Sequence, residues 1–308
     1  MAVEAAYVGS SSHGLTGLED INPFNPANPG APRRLDNTPG NTPSSLGFLP
    51  QFMNVANANY NALQLSLKQQ SSSVPVLGKM YYTLGYTWAH NIDDASGFRN
   101  NASQVPFFQP HLFRASSDFD LRNVLTFSGG WDLPFNRGPK PLVKGWSLYP
   151  ILSARGGFPV TVGAGLNAQN GVAGPSGAGD ANLVNASLIA PVQYTDPHKQ
   201  QTISTPNGPV TGFFFFSPAS FGNTATGYGT APRNLLRGPG RTNLDMSLVK
   251  VTPIYGERLQ LKLSVDAFNI FNHTEFQTLS DNFSNSNLGQ VLATYPARIL
   301  QLGAHINF

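Results

Sequence analysis

Seven stretches of this chain alternate apolar and polar residues with period two, most for about 10–14 residues, and that alternation limits the fold more than any other feature. In Asn59–Gln70, Leu63, Leu65 and Leu67 face one way while Gln64, Ser66 and Lys68 face the other. In Gly78–His90, Met80, Tyr82, Leu84, Tyr86 and Trp88 oppose Lys79, Thr83, Gly85 and Thr87. Leu125, Phe127, Trp131 and Leu133 oppose Arg122, Thr126, Ser128 and Asp132; Trp146, Leu148, Leu152 and Ala154 oppose Ser147, Ser153 and Arg155. Leu244, Met246 and Leu248 oppose Asn243, Asp245 and Ser247; Leu259, Leu261, Leu263 and Val265 oppose Gln260, Lys262, Ser264 and Asp266. The last stretch sets Leu300, Leu302, Ala304, Ile306 and Phe308 against Gln301, His305 and Asn307. A shorter piece, Ala2–Gly9, makes an eighth. Helical periodicity is almost absent, so the chain reads as all-β.

The connections between these strands alternate long and short. The long ones span about 10–58, 91–119, 161–240 and 273–296; the short ones span about 71–77, 135–144 and 252–256. Compact soluble domains rarely hold structureless loops beyond about 12–15 residues. Four long connections in strict alternation imply an antiparallel up-and-down sheet with every long loop at one end. That is the plan of transmembrane β-barrels, whose short turns are periplasmic and whose long loops are external. Both chain ends then fall on the periplasmic side.

Alternation alone also suits a soluble antiparallel sheet. Strand length favours lipid, because globular strands run about 5–6 residues and these are twice that, enough for a tilted crossing. Aromatic residues gather near strand ends (Tyr86, Trp88, Trp131, Phe135, Trp146, Phe268 and Phe271), where rings suit a membrane interface. Charged residues make up 11% of the chain, against roughly 25% in an average soluble domain. The net charge of +3 is scattered, with no basic run of the kind nucleic acid requires. With no cysteine, disulfides and thiolate sites are excluded. The start of the sequence lacks a basic region followed by an apolar one, so it does not read as a secretory signal.

Candidate chemistry is sparse. Asp93–Asp94 and Asp118/Asp120 lie in or beside a predicted external loop; calcium binding is conceivable there, but no EF-hand spacing exists and solvated loop acids are expected. His13, His90, His111, His198, His273 and His305 form no zinc-ligand spacing, and His305 is expected on the lumenal face. Neither GAGLNAQNG nor GAGDAN leads from a strand into a helix, so neither reads as a phosphate loop. The run Phe213–Phe216 inside the longest loop reads as a packed loop core in preference to a ligand-facing patch. RGPGR, Arg237–Arg241, has the composition to grip an anion, yet as a turn entering a strand it needs no ligand. No catalytic constellation is present, so an enzyme is not expected, nor a metal or cofactor.

The segment Asn234–Phe276, NLLRGPGRTNLDMSLVKVTPIYGERLQLKLSVDAFNIFNHTEF, resembles the late barrel strands of TonB-dependent receptors, and is similar above all to the Oar-like branch. The likeness rests on LRGPG, LDMSLVK and DAFNIFNHTEF with Asn269, Asn272 and Phe276. Ser116–Phe135 resembles an earlier strand pair, and ARILQLGAHINF resembles the last strand. The resemblance implies an outer-membrane barrel inserted by the barrel-assembly machinery, with Leu300, Leu302, Ile306 and Phe308 as the assembly signal. Barrels of the family the chain resembles hold about 22 strands. With about eight strands and no plug domain, residues 1–308 are expected to form the C-terminal portion of such a barrel, a fragment of a nutrient transporter. In a full-length receptor its partners are a plug and TonB. The alternative is a self-contained small outer-membrane or surface β-protein with a structural or adhesive role.

Overall fold

The computed structural model describes residues 1–23, 32–36, 49–74, 76–97, 105–135, 137–164, 185–205, 208–224, 228–255 and 258–308. Eight long strands form one sheet: β1 (Ala2–Asp20), β2 (Pro50–Val74), β3 (Gly78–Asp93), β4 (Asn123–Asp132), β5 (Trp146–Arg155), β6 (Arg241–Tyr255), β7 (Leu259–Phe268) and β8 (Ile299–Asn307). Each pairs antiparallel with its neighbour in sequence. β1 and β8 are each paired on one side only, so the sheet is open. No helix among the described residues is long and apolar enough to cross a membrane, a statement that does not bear on strands.

Register converts the sequence alternation into continuous rows. Val3, Leu67, Leu84, Phe127, Leu152 and Leu244 are successive cross-strand partners. The adjacent row, on the opposite face, is Glu4, Ser66, Gly85, Thr126, Ser153 and Asn243. The apolar face carries no packed layer: Val3 is 72% exposed and Leu302 79%. A soluble sheet would cover such a face, because apolar area left in water costs about 25 cal/mol per Å². Lys250 sits on this face beside Trp146, its partner in β5. Its ammonium lies 5.6 Å from the indole ring and donates to the Lys144 carbonyl, so the charge is carried back toward the turn.

Trp131 and Trp146 stand near the short-turn end, their indole N–H groups donating to the carbonyls of Leu77 (2.5 Å) and Leu142 (2.9 Å). Trp88 stands toward the other end of the apolar face. Trp131 is level with Met80, and the stretch of β3 from there to Trp88 is about 26 Å long at roughly 3.3 Å per residue. That is the order of the apolar band on an outer-membrane barrel wall.

The largest boundary differences from the sequence expectation are in β1 and β2; β2 also runs on to Val74 and β6 to Tyr255, which shortens the expected connections 71–77 and 252–256. The first long connection is 21–49 and not 10–58, because β1 continues to Asp20 and β2 begins at Pro50. The extra ladder opens on polar residues (Ser10, Ser11, Ser12, His13), and its apolar residues, Leu15 and Leu18 in β1 and Phe52, Met53 and Val55 in β2, do not keep period two, so it leaves no alternating trace. It is held by backbone pairing, and Gly14, at φ 63°, sits in its bulge. The other long connections are partly built into secondary structure. Residues 115–116 pair with the end of β3, 201–205 with 208–212, and 276–279 with 291–294. Of the loop stretches singled out in the sequence, GAGDAN lies wholly and GAGLNAQNG mostly outside the described residues.

Candidate functional site

The long connections after β3, β5 and β7 meet at one end of the sheet; ion pairs join the first two to the strand ends, and a hydrogen bond from Thr242 N to Glu275 (2.9 Å) ties the third to β6. Asp93 closes β3. It accepts hydrogen bonds from Arg233 Nη2 (2.6 Å) and Ser96 Oγ (2.7 Å). Asp94 accepts from Arg114 Nη1 (3.1 Å) and from both the backbone and side-chain nitrogens of Asn57 (2.9 Å each). Asp120, which precedes β4, accepts from Asn91 N (2.8 Å), Arg122 Nε (2.9 Å) and Arg237 Nη2, with His90 Nδ1 at 3.2 Å. All three acids are buried. This corrects the expectation of solvated loop acids for Asp93, Asp94 and Asp120; only Asp118 stays half-exposed, 3.3 Å from Arg233. The physical reason is nonlocal. Arg233 lies 140 residues from Asp93 in sequence, and a buried carboxylate is tolerable only once such a partner arrives. Their oxygens are engaged by arginines and amides, and no group of three or more acids, histidines or cysteines able to hold a metal occurs among the described residues.

Asp120 makes this belt acid-sensitive. Burial alone would raise its carboxyl, but hydrogen bonds from Arg237, the Asn91 amide and Arg122 outweigh it and hold the group at about 2, below its ordinary 3.8. A depressed carboxylate stabilises the folded state above its unfolded pKa and loses that contribution as pH falls toward the folded one. The described parts of the connection after β3, 94–97 and 105–122, are therefore expected to resist protease down to about pH 4 and to lose that resistance between about pH 4 and 2. Asp120→Asn should remove this step, as followed by pepsin digestion across that range.

Beyond the belt, the connections build their own core. Val162, Ala186, Phe216, Phe221, Ala231, Leu236 and Leu288 form one buried cluster, with Phe215, Leu279 and Phe283 packed against it. The Phe213–Phe216 run divides as an extended segment does. Phe214 and Phe216 are fully buried and Phe213 is 47% exposed. The segment lies against the second hairpin strand of the last long connection: Phe215 N donates to Gly289 O (2.8 Å) and Val291 N to Phe213 O (3.0 Å). A shallow cleft opens beside it, lined by His198, Phe213, Phe276 and Leu292.

The motifs of the late strands also acquire physical roles. Asn269 and Asn272 both adopt left-handed backbone (φ 53° each), which asparagine tolerates better than most residues, and turn the chain sharply after β7. Asp245 of β6 fixes that turn by accepting from Asn269 N (2.9 Å). In RGPGR, Arg237 is committed to Asp120, whereas Arg241 lies opposite Arg155 across β5 and β6. Glycine is needed where these segments touch: a Cβ on Gly157 would stand 1.7 Å from the Gly238 carbonyl oxygen. Sequence reasoning missed Arg233 and placed Arg155 only as a polar-face residue; a lone arginine in a chain with few charges carries no local sign of the partner that the fold brings to it.

The terminal residues Leu300, Leu302 and Ile306 lie on the uncovered apolar face, and Phe308, just past β8, is fully exposed. His305 is on the opposite face, level with Lys262.

A family model described as an outer membrane beta barrel domain matches residues 1–301. No curated protein and no solved structure gives a match.

Proposed function

The chain belongs to the outer membrane beta barrel domain family, and from that premise we propose that its eight strands are the C-terminal part of the wall of a TonB-dependent, Oar-like receptor for nutrient uptake. The protein is an outer-membrane β-protein. The observation that carries the receptor reading is the cap: long connections from one end of the sheet fold together around a buried core, as substrate-binding loops held above a lumen would. The open edges of β1 and β8 support a larger wall, since unpaired backbone in hydrocarbon costs several kcal/mol per group. The resemblance of Asn234–Phe276 to late receptor strands adds to this. On this reading the polar face lines the lumen, both termini are periplasmic, and the cap contacts the nutrient. A plug and TonB supply gating in the complete receptor, and the chain itself performs no catalysis.

The test is folding of the chain into detergent micelles, followed by gel mobility before and after heating. A detergent-dependent, heat-modifiable species supports the barrel wall, and a stable detergent-free monomer overturns it. A closed single-chain barrel of eight strands would replace the receptor reading with the small structural barrel.

Leu300, Leu302, Ile306 and Phe308 are proposed as the signal read by the barrel-assembly machinery. Deleting Phe308 is expected to lower the inserted, heat-modifiable fraction severalfold in cells. Refolding of purified chain into micelles should be little changed, because the residue makes no buried contact. Equal insertion in cells would remove Phe308 from that role.

A further inference from the structure

Arg155 ends β5 and Arg241 begins β6, and they are direct cross-strand partners at the cap-bearing end. Like charges in that position repel. Each guanidinium carries five donors, and nearly all of them go unused among the described residues. Among the described residues the Arg155 side chain donates once, to Tyr295 Oη at 3.3 Å, and it stacks on Phe158 at 4.7 Å. Arg241 makes no hydrogen bond among the described residues; its guanidinium lies 4.0 Å over the Tyr295 ring and its buried Nε has no acceptor. The neighbouring acids are already engaged. Glu275 accepts from Thr242 N (2.9 Å) and His273 Nε2, and Asp245 from Asn243 Nδ2 (2.8 Å) and Asn269 N (2.9 Å). Most other arginines of this end behave differently: Arg33, Arg114, Arg122, Arg233 and Arg237 each meet a carboxylate, while Arg34 and Arg298 donate to the carbonyls of Ile21 (3.1 Å) and Ile270 (3.2 Å). The pair is also held in place, because the Gly157–Gly238 contact and the Gly238 N to Phe158 O bond (2.8 Å) clamp the chain beside both residues.

We propose that Arg155 and Arg241 form an oxyanion-binding site at the lumenal mouth, taking a carboxylate or phosphate group of the ligand between two guanidinium forks, with Tyr295 as its aromatic support. Guanidinium is suited to this task because its fork matches both anions in bidentate geometry. An anion between them also cancels the repulsion that the register imposes. The proposal rests on the barrel reading, which turns the polar face toward the lumen.

The test uses the full chain in micelles with inorganic phosphate as probe, followed by calorimetry and by phosphorus line broadening. Saturable binding is expected, weakened about tenfold or more in the Arg155→Gln/Arg241→Gln double variant. Without phosphate, that variant should be at least as heat-stable as the parent, because a repulsive pair is gone. Should it fail to fold, Arg241→Lys keeps the charge but loses the fork and should weaken binding to an intermediate degree. A parallel titration with dihexanoylphosphatidic acid separates the sources: phosphate binding as tightly or more tightly marks a soluble anion, tighter lipid binding marks a headgroup, and both keep the site. Unchanged affinity in the folded variants, or no saturable binding to the parent, overturns it. Failure of the barrel reading would look different, as a parent chain without heat-modifiable mobility.

Discussion

Replacing Arg233 with methionine is expected to detach the cap from the strand ends while the eight-stranded sheet persists. Arg233 is buried and makes five hydrogen bonds: to Asp93 Oδ1 (2.6 Å), Ser96 Oγ (2.6 Å), Asp118 Oδ1 (3.3 Å) and the carbonyls of Asp93 (3.2 Å) and Phe113 (3.0 Å). It therefore ties the connection after β5 to both ends of the connection after β3. Methionine preserves much of the volume and removes the charge, which leaves Asp93 buried without its cation. Breaking one side of a buried pair typically costs about 3–5 kcal/mol, more than the pair itself contributes relative to apolar residues. The loss should fall on the connections, since the sheet keeps every ladder bond. Trypsin should then cut at Arg114 and Arg122 far faster than in the parent, while heat-modifiable mobility is retained. Adding Asp93→Asn should recover part of the loss, because the stranded charge is then gone. Arg233→Lys should lie between, keeping charge but losing the fork. Parental protease resistance in Arg233→Met would show that the belt does not hold the cap.

Such a belt could not be read from the sequence, and the contrast with the strands shows why. Strand identity is local. Leu63, Leu65 and Leu67 already state which face of β2 meets lipid, and pairing with neighbours in sequence then fixes the whole order of the sheet. The count of eight and the alternation of long and short connections were legible for that reason. The limits of β1 and β2 were not, because Ser10–His13 are all polar, Leu15, Leu18, Phe52, Met53 and Val55 do not keep period two, and the ladder there is carried by backbone bonds that leave no pattern. The acids failed differently. Asp93 and Asp94 look like ordinary loop acids until residues 114 and 233 are brought to them, and nothing near them announces that contact. The same holds for Arg155 and Arg241, whose meeting is a matter of register across an 85-residue connection. Aromatic runs fall between these cases: composition suggested that Phe213–Phe216 packs, and period two within the run decides that Phe214 and Phe216 go inside.

Phe216 gives the second large effect, and it tests whether the cap is a folding unit of its own. The side chain is fully buried against Phe221, with ring centroids 5.7 Å apart and planes at 74°, an edge-to-face arrangement that adds to area burial. Its cluster joins the connection after β5 to that after β7 through Leu236 and Leu288. Phe216→Ala removes a ring from a closed core and is expected to cost about 3–5 kcal/mol. Phe213→Ala, half-exposed in the same run, should cost about 1 kcal/mol or less. Hydrogen exchange separates the alternatives. The amides of Phe215, Ser217 and Val291, bonded to Gly289 O (2.8 Å), Gln193 O (2.8 Å) and Phe213 O (3.0 Å), should exchange roughly a hundredfold faster in Phe216→Ala. Amides in the ladder between β6 and β7 should keep their rates, because those strands share no core with the cap. Acceleration spread evenly through the strands would mean that cap and wall unfold together. A cap able to loosen by itself above an intact wall is what the proposed receptor role would require, since a ligand would then have to enter between the connections without the sheet leaving the membrane.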